Sequence, residues 1–485
     1  MKLNLKKTLP VLLFVSLLGL SACGDPKTSD ASSTAASSTA PTSTSSTASS
    51  VASSASSGSS EKVEITFWHT MGHNNATLLD NMISRFQAKY PNITVNATSA
   101  AGSYDDLESL ILSAIPANTT PTMAFCYPDH VAEYIEKNKA VVDLTSFMND
   151  PEIGFQESDG SHKDNDGNVL SGKDDYVKSF WDEGSSYTTS GVYSVPFAKS
   201  TEALFYNKTV FDQKGWEVPQ TWDQMWDLCA TIRAAYPDKG ADGKYTYYPL
   251  GYDSDSNMYI TLSQQMGIPF TSATGDHYLF NNDQAKDMVR KLKTNYDAGY
   301  FVTKGTSANS TFTSTKFTAG EILMSIGSTG GTTYNQTGNF TVGVAVPPSI
   351  DLDKPAVISQ GPSICFFNQA TAAQKRAAWL FYRFISTAEN STYYAVSTGY
   401  QPVRTSSYST AIYTSFVNAA AGDRTIFNDV ASTTLNMQTS YFNSPVFVGS
   451  AKARNEMTGL MSSVLLGSKT VDNAFNDAMS NCLNG

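Results

Sequence analysis

The chain has 485 residues and a formal charge of −11, from 33 Lys and Arg against 44 Asp and Glu. An acidic chain has no basic field with which to release phosphate counterions, so a nucleic-acid binder is excluded. Charged residues make up only 16%, against roughly 25% in ordinary globular proteins; Asn, Ser, Thr and 25 Tyr carry the polar work, which suits hydroxyl-rich partners.

The elements begin with a leader. Lys2, Lys6 and Lys7 form a basic start, and Leu9–Leu20 is an apolar run. At about 12 residues it is shorter than the roughly 20 that a membrane-spanning helix needs. It ends in Leu20-Ser21-Ala22-Cys23-Gly24, which resembles the bacterial lipobox, where small residues precede a cysteine that is lipidated and becomes the new N-terminus. Residues 1–22 are therefore read as a signal peptide and Cys23 as the anchor, held by acyl chains at about 0.8 kcal/mol per buried CH₂. Residues 31–60 contain 15 Ser, 7 Ala and 5 Thr. They bury too little apolar area to offset chain entropy, so 23–60 is expected to be a disordered tether with a reach of about 35 Å.

Val63–Trp68 alternates like a strand, and Leu78, Leu79, Met82, Ile83 and Phe86 fall at helical spacing up to Tyr90-Pro91. Ile93–Val95 reads as a second strand, Leu107–Ile115 as a second helix and Thr122–Tyr127 as a third strand. This β-α-β-α-β order demands a parallel sheet with right-handed crossovers. Ligands sit beyond the carboxyl ends of such strands, which makes Trp68, His69, Tyr104 and Tyr127–His130 cleft candidates. Residues 151–175 read as a surface loop. A second αβ region is expected from Val195-Pro196 onward. It contains a helix capped by Thr221, whose face is Trp222, Met225, Trp226, Cys229 and Ile232. Further strands are expected at 322–326, 341–346 and 363–367, with a Gly-rich turn at 327–331 and helices at 370–386 and 451–466.

Catalytic and metal signatures are weak. His69 and His73 have the i, i+4 spacing of metal ligands, but Gly72 between them argues for a loop. The Asp164–Asn168 run lacks the terminal Glu of a calcium loop, since Lys173 stands there. No P-loop and no G-x-S-x-G is present, so neither a cofactor nor a metal is expected. Cys126, Cys229, Cys365 and Cys482 lack paired spacing and read as isolated buried thiols.

Seven pieces in order carry a family resemblance. They are Phe67–Met71; Gly102-Ser103-Tyr104; Val195–Lys208; Pro219–Asp223; Gly320–Met324 with the Ser328 turn; Gln360–Ser363; and Thr398–Val403 with a C-terminal helix holding Arg454. Together they resemble the extracellular solute-binding proteins of ABC importers, in the branch that takes sugars and glycerol-3-phosphate. The resemblance implies an α/β fold of two Rossmann-like lobes with an interlobe cleft, the type II periplasmic-binding-protein fold. One lobe would comprise 61–197 with 362–400, and the other 198–361 with 401–485. Crossovers would lie near Phe197–Thr201, Gly361 and Tyr400–Thr405.

The same resemblance implies a ligand site of Tyr104, Ser200, Ser328, Gly361, Tyr400 and Arg454. Neutral hydroxyls would meet phosphate or sugar oxygens, and an Arg fork would grip a phosphate. The family's acidic residue falls on Pro128, so the neighbouring Asp129 is taken as its substitute. Trp222 and Trp68 suit a sugar-stacking surface and a core equally. The expected protein is a monomeric lipoprotein on the extracellular face of a bacterial cell membrane, with a small-molecule solute and ABC permease subunits as partners and no enzymatic activity. A neutral oligosaccharide receptor is the alternative. A surface glycosidase, the reading from another class, needs two cleft carboxylates at about 5–10 Å.

Overall fold

The structure is a computed structural model and describes residues 61–136, 139–155, 172–241 and 243–484. The leader, Cys23, the tether and the Asp164–Asn168 run lie outside the described residues. No described helix is long and apolar enough to cross a membrane.

β1 (Val63–His69), α1 (His73–Lys89), β2 (Ile93–Ser99), α2 (Tyr104–Ala117), β3 (Met123–Cys126) and α3 (Pro128–Glu136) follow one another. β1 pairs in parallel with β2 and β3, as the alternation of strand and helix requires. Every second residue of β1, Ile65, Phe67 and His69, is buried, and Phe67 meets Phe125 of β3 edge to face at 5.1 Å. Leu79, Met82, Ile83 and Phe86 bury the inner face of α1 against this sheet.

The remaining strands are β4 (Val195–Pro196), β5 (Glu202–Asn207), β6 (Tyr248–Tyr252), β7 (Phe301–Thr303), β8 (Ile322–Ser328), β9 (Val342–Ala345), β10 (Val357–Ile358), β11 (Ser363–Phe366) and β12 (Tyr441–Phe442). The first sheet has the order β2-β1-β3-β11-β4 and the second β7-β6-β8-β5-β9. Two expectations change here. Val195-Pro196 does not open the second region but closes the first sheet, pairing with β11. The first sheet is also mixed, because β11 runs antiparallel to both β3 and β4. Residue periodicity specifies a strand but not the direction of a partner more than a hundred residues away.

The chain passes between the two large sheets from β4 to β5, and back from β9 to β11 by way of β10, which pairs with β12 in a small sheet of its own. These passages, with a third segment at Gln401, form a short ladder. Ser200 and Gln360 exchange backbone bonds at 2.9 and 2.8 Å, and Gln401 N–H donates to Lys199 O at 2.6 Å. Beneath this ladder the fully buried Lys199 ammonium donates to the Glu183 carboxylate, to Gly361 O at 3.2 Å and to Ser363 Oγ at 3.2 Å. Each sheet has its own apolar core, one around Phe67, Phe125, Phe381 and Trp379, the other around Leu250, Met324, Met457 and Phe475.

Candidate functional site

The ends of strands from both sheets meet in one polar cluster. On the first side, Ser103 caps α2 by accepting the Asp106 N–H at 3.1 Å, which sets Tyr104 at the helix start. The Tyr104 ring stacks on Tyr127, just past the end of β3, at 4.2 Å between centroids. Tyr104 and Tyr400 lie close enough to influence each other's ionisation. Burial pushes Tyr400 up to about 12 and raises Tyr104 and Tyr127 further. All three phenols therefore stay neutral and keep their donors.

On the second side, Ser328 ends β8 and opens the 3₁₀ turn Thr329–Asn335, accepting the Gly330 N–H at 3.2 Å. Its hydroxyl donates to Ser200 Oγ at 3.3 Å, so the Gly/Ser turn meets the first passage between sheets. Tyr400 lies against the same turn: a Cβ at Gly330 would come within 2.6 Å of the Tyr400 ring and push it aside.

Arg454, on the helix Ser450–Leu465, joins the two sides. Its Nη1 donates to Asn257 Oδ1 at 2.8 Å, and its Nε lies 3.5 Å from Asp129 Oδ2 in the first turn of α3. Asn257 Nδ2 in turn donates to Glu202 Oε1 at 3.1 Å, and the Tyr252 hydroxyl donates to Glu202 Oε2 at 2.5 Å. Glu202 starts β5 directly opposite Ser328 and is 1% exposed. Desolvation lifts its pKa to about 7, although the Tyr252 and Asn257 bonds and the Arg454 charge pull it down.

Of the residues singled out in the sequence, the structure gathers Tyr104, Asp129, Ser200, Ser328, Tyr400 and Arg454 around this cluster. Gly361 lies behind Ser200 in the ladder, with a Cβ position 2.4 Å from Ala198 O. Trp222 is elsewhere. It is 3% exposed, stacks on Trp226 at 5.3 Å and donates its indole N–H to Gln265 at 3.1 Å, within the second core. As the first helical residue after the Thr221 capping box, it points inward with Met225 and Trp226, one turn on. Trp68 packs half-buried at the edge of the first core.

His69 is a buried wall residue whose Nδ1 accepts the Met71 N–H at 3.1 Å, and burial lowers its pKa to about 4. His73 opens α1 rather than lying in a loop. Among the described residues no His, Cys, Asp or Glu group is arranged to hold a metal, and the four described cysteines are free and buried. Sequence reasoning missed Glu202, Asn257 and Tyr252. A carboxylate opening the buried strand Glu202–Asn207, ahead of Ala203-Leu204-Phe205, was the available signal, as was the polar Asn257 in a helix buried on most of its first residues.

Residues 81–421 match the family model described as bacterial extracellular solute-binding protein. The chain belongs to this family. Among curated relatives of this solute-binding protein is the sn-glycerol-3-phosphate-binding periplasmic protein UgpB of Pectobacterium atrosepticum. It is 24% identical over 73% of this chain and 76% of that protein. UgpB of Escherichia coli K12 is also 24% identical, over 71% and 75%. Solved structures with the same fold include UgpB from Mycobacterium tuberculosis in complex with glycerophosphocholine (TM-score 0.70, 18% identity, 87% and 97% of the two chains). Another is the GacH receptor of Streptomyces glaucescens, with acarbose (TM-score 0.69, 16% identity, 86% and 97%). The solute-binding protein is thus a two-lobed α/β protein of the type II periplasmic-binding fold.

Proposed function

We propose that the chain is the lipid-anchored receptor of an ABC importer, which captures a glycerol-phosphate-type solute in the interlobe cleft and hands it to permease subunits. In this reading 61–197 with 362–400 and 198–361 with 401–485 are the lobes, and the Ser200–Gln360–Gln401 ladder is the hinge. The observation that carries the solute class is Arg454. It is a guanidinium held by Asn257 and Asp129 near the neutral Tyr127 phenol, with serine hydroxyls at the facing end of β5 and β8, donors that match phosphate oxygens. Calorimetry on the purified protein is the test. sn-Glycerol 3-phosphate or a glycerophosphodiester should bind, and Arg454→Gln should weaken that binding by about 2–5 kcal/mol. Heat with a neutral oligosaccharide alone, indifferent to Arg454→Gln, would overturn the phosphate reading.

That second reading has its own support in the Tyr104–Tyr127 stack, a flat aromatic face, and in Asp129, a carboxylate suited to sugar hydroxyls. The anchor is tested separately: Cys23→Ser should release the protein from the membrane fraction and abolish acyl labelling.

A further inference from the structure

The Arg454 side chain, 27% exposed, is long and flexible, yet it is held from below by a buried relay. Asn257 is 5% exposed and its carbonyl oxygen takes the Arg454 Nη1 proton at 2.8 Å. That orientation of the amide is not neutral. The carbonyl end faces Arg454, which only donates, and the NH₂ end is satisfied on the opposite side by Glu202 Oε1 at 3.1 Å, so both ends of the buried amide are fixed. With Tyr252 on Oε2, the Oε1 atom accepts and does not donate whether the carboxyl is ionised or carries its proton on Oε2, so it holds the NH₂ end of the amide in place. Tyr252, itself fully buried, fixes the other oxygen of Glu202 at 2.5 Å. The connection from Glu202 to Arg454 runs through Asn257.

We propose that Glu202 is a positioning residue which, through Asn257, sets the plane in which Arg454 presents its guanidinium to an anionic solute. This deepens the reading of Arg454 as the anion-binding group and rests on it. Loss of the Glu202 acceptor leaves the buried Asn257 NH₂ without its partner, so the amide is no longer held in place and Arg454 loses its fixed lower anchor.

Two readouts on the purified protein test the relay. The first is the ¹⁵N–¹H side-chain signal of Arg454 Nε, assigned by its loss in Arg454→Gln and recorded without any solute. Glu202→Met and Asn257→Leu should each shift it to the position of solvent-exposed arginines. Glu202→Gln, whose carbonyl still accepts from Asn257, should leave it in place. The second is calorimetry with sn-glycerol 3-phosphate. Glu202→Met and Asn257→Leu should each weaken binding about tenfold, and the double variant should be no weaker than either single one.

An Arg454 signal that stays put in folded Glu202→Met or Asn257→Leu overturns the relay, as do two losses that multiply in the double variant. Should Glu202→Met not fold, Asn257→Leu and Glu202→Gln carry the same contrast. A signal that moves in a protein whose wild type takes no sn-glycerol 3-phosphate upholds the relay and overturns the solute reading instead.

Discussion

Gly361 has a backbone φ of +97°, and a Cβ there would lie 2.4 Å from Ala198 O and 2.9 Å from Lys199 Cα. Backbone cannot yield as a side-chain tip does. Gly361→Ala should therefore cost about 1–3 kcal/mol or more, read as a lower urea midpoint, with weaker solute binding because the hinge ladder shifts. Glu202 belongs at the same scale. Its folded pKa of about 7 stands above the ordinary 4.5, so its contribution to stability is full below the unfolded value and is lost as pH rises through about 7. Urea unfolding at about pH 5 and about pH 8 should show Glu202→Gln losing less stability across that interval than wild type. An equal drop in both would contradict the assignment. Arg454, Tyr104, Tyr400 and the serines were legible because their motifs run in family order. Glu202 and Asn257 were not, because their importance lies in a chain of contacts spanning about 250 residues of sequence, from Glu202 to Arg454.

Helices and strands were legible wherever apolar spacing and a cap agree. α2 starts at Tyr104 because Ser103 caps it and Asp105 and Asp106 complement its first turn. The Trp222–Ala235 helix starts where Thr221 and Gln224 form a capping box. Less visible was how the segments of the proposed hinge are bound together. Lys199 and Glu183 are both nearly absent from the surface, at 0% and 5% exposed, and Glu183 also accepts from Ser359 at 3.0 Å. One ion pair thus fastens the segments around 183, 199 and 359–363. Lys199→Met would strand a buried carboxylate and should cost about 3–5 kcal/mol. Lys199→Met with Glu183→Leu removes both charges and should recover much of that loss in equilibrium unfolding. A double variant as unstable as the single would show that the cost comes from packing rather than charge.

For the whole molecule, two contacts join α3 to the Ser450–Leu465 helix: Asp129 to Arg454, and Glu133 Oε1 to the Gly449 N–H at 2.8 Å. The acceptors are four residues apart, one turn on the same face of α3. The second contact sits at the positive end of its partner helix. In the proposed two-lobe reading it would help hold the lobes together away from the solute position. Glu133→Ala should enlarge the radius of gyration of the solute-free protein in solution scattering. It should also weaken solute binding by about 1 kcal/mol, because the competent closed state is less populated. Unchanged scattering and affinity would remove Glu133 from the closure mechanism.

By itself the sequence determined the α/β class, the start and end of most helices and strands, the membership of the solute-binding family and most of the side chains that the structure gathers around Arg454. These follow from periodicity, capping and ordered motifs, all properties of neighbouring residues. Tertiary structure alone decided that Trp222 belongs to a core, that β11 and β4 run antiparallel and that Glu202 stands behind Arg454. The physical reason is common to all three. Burial, strand direction and hydrogen-bond relays are set by partners distant in the chain, and a short sequence window carries no record of which distant groups will share a low-dielectric space.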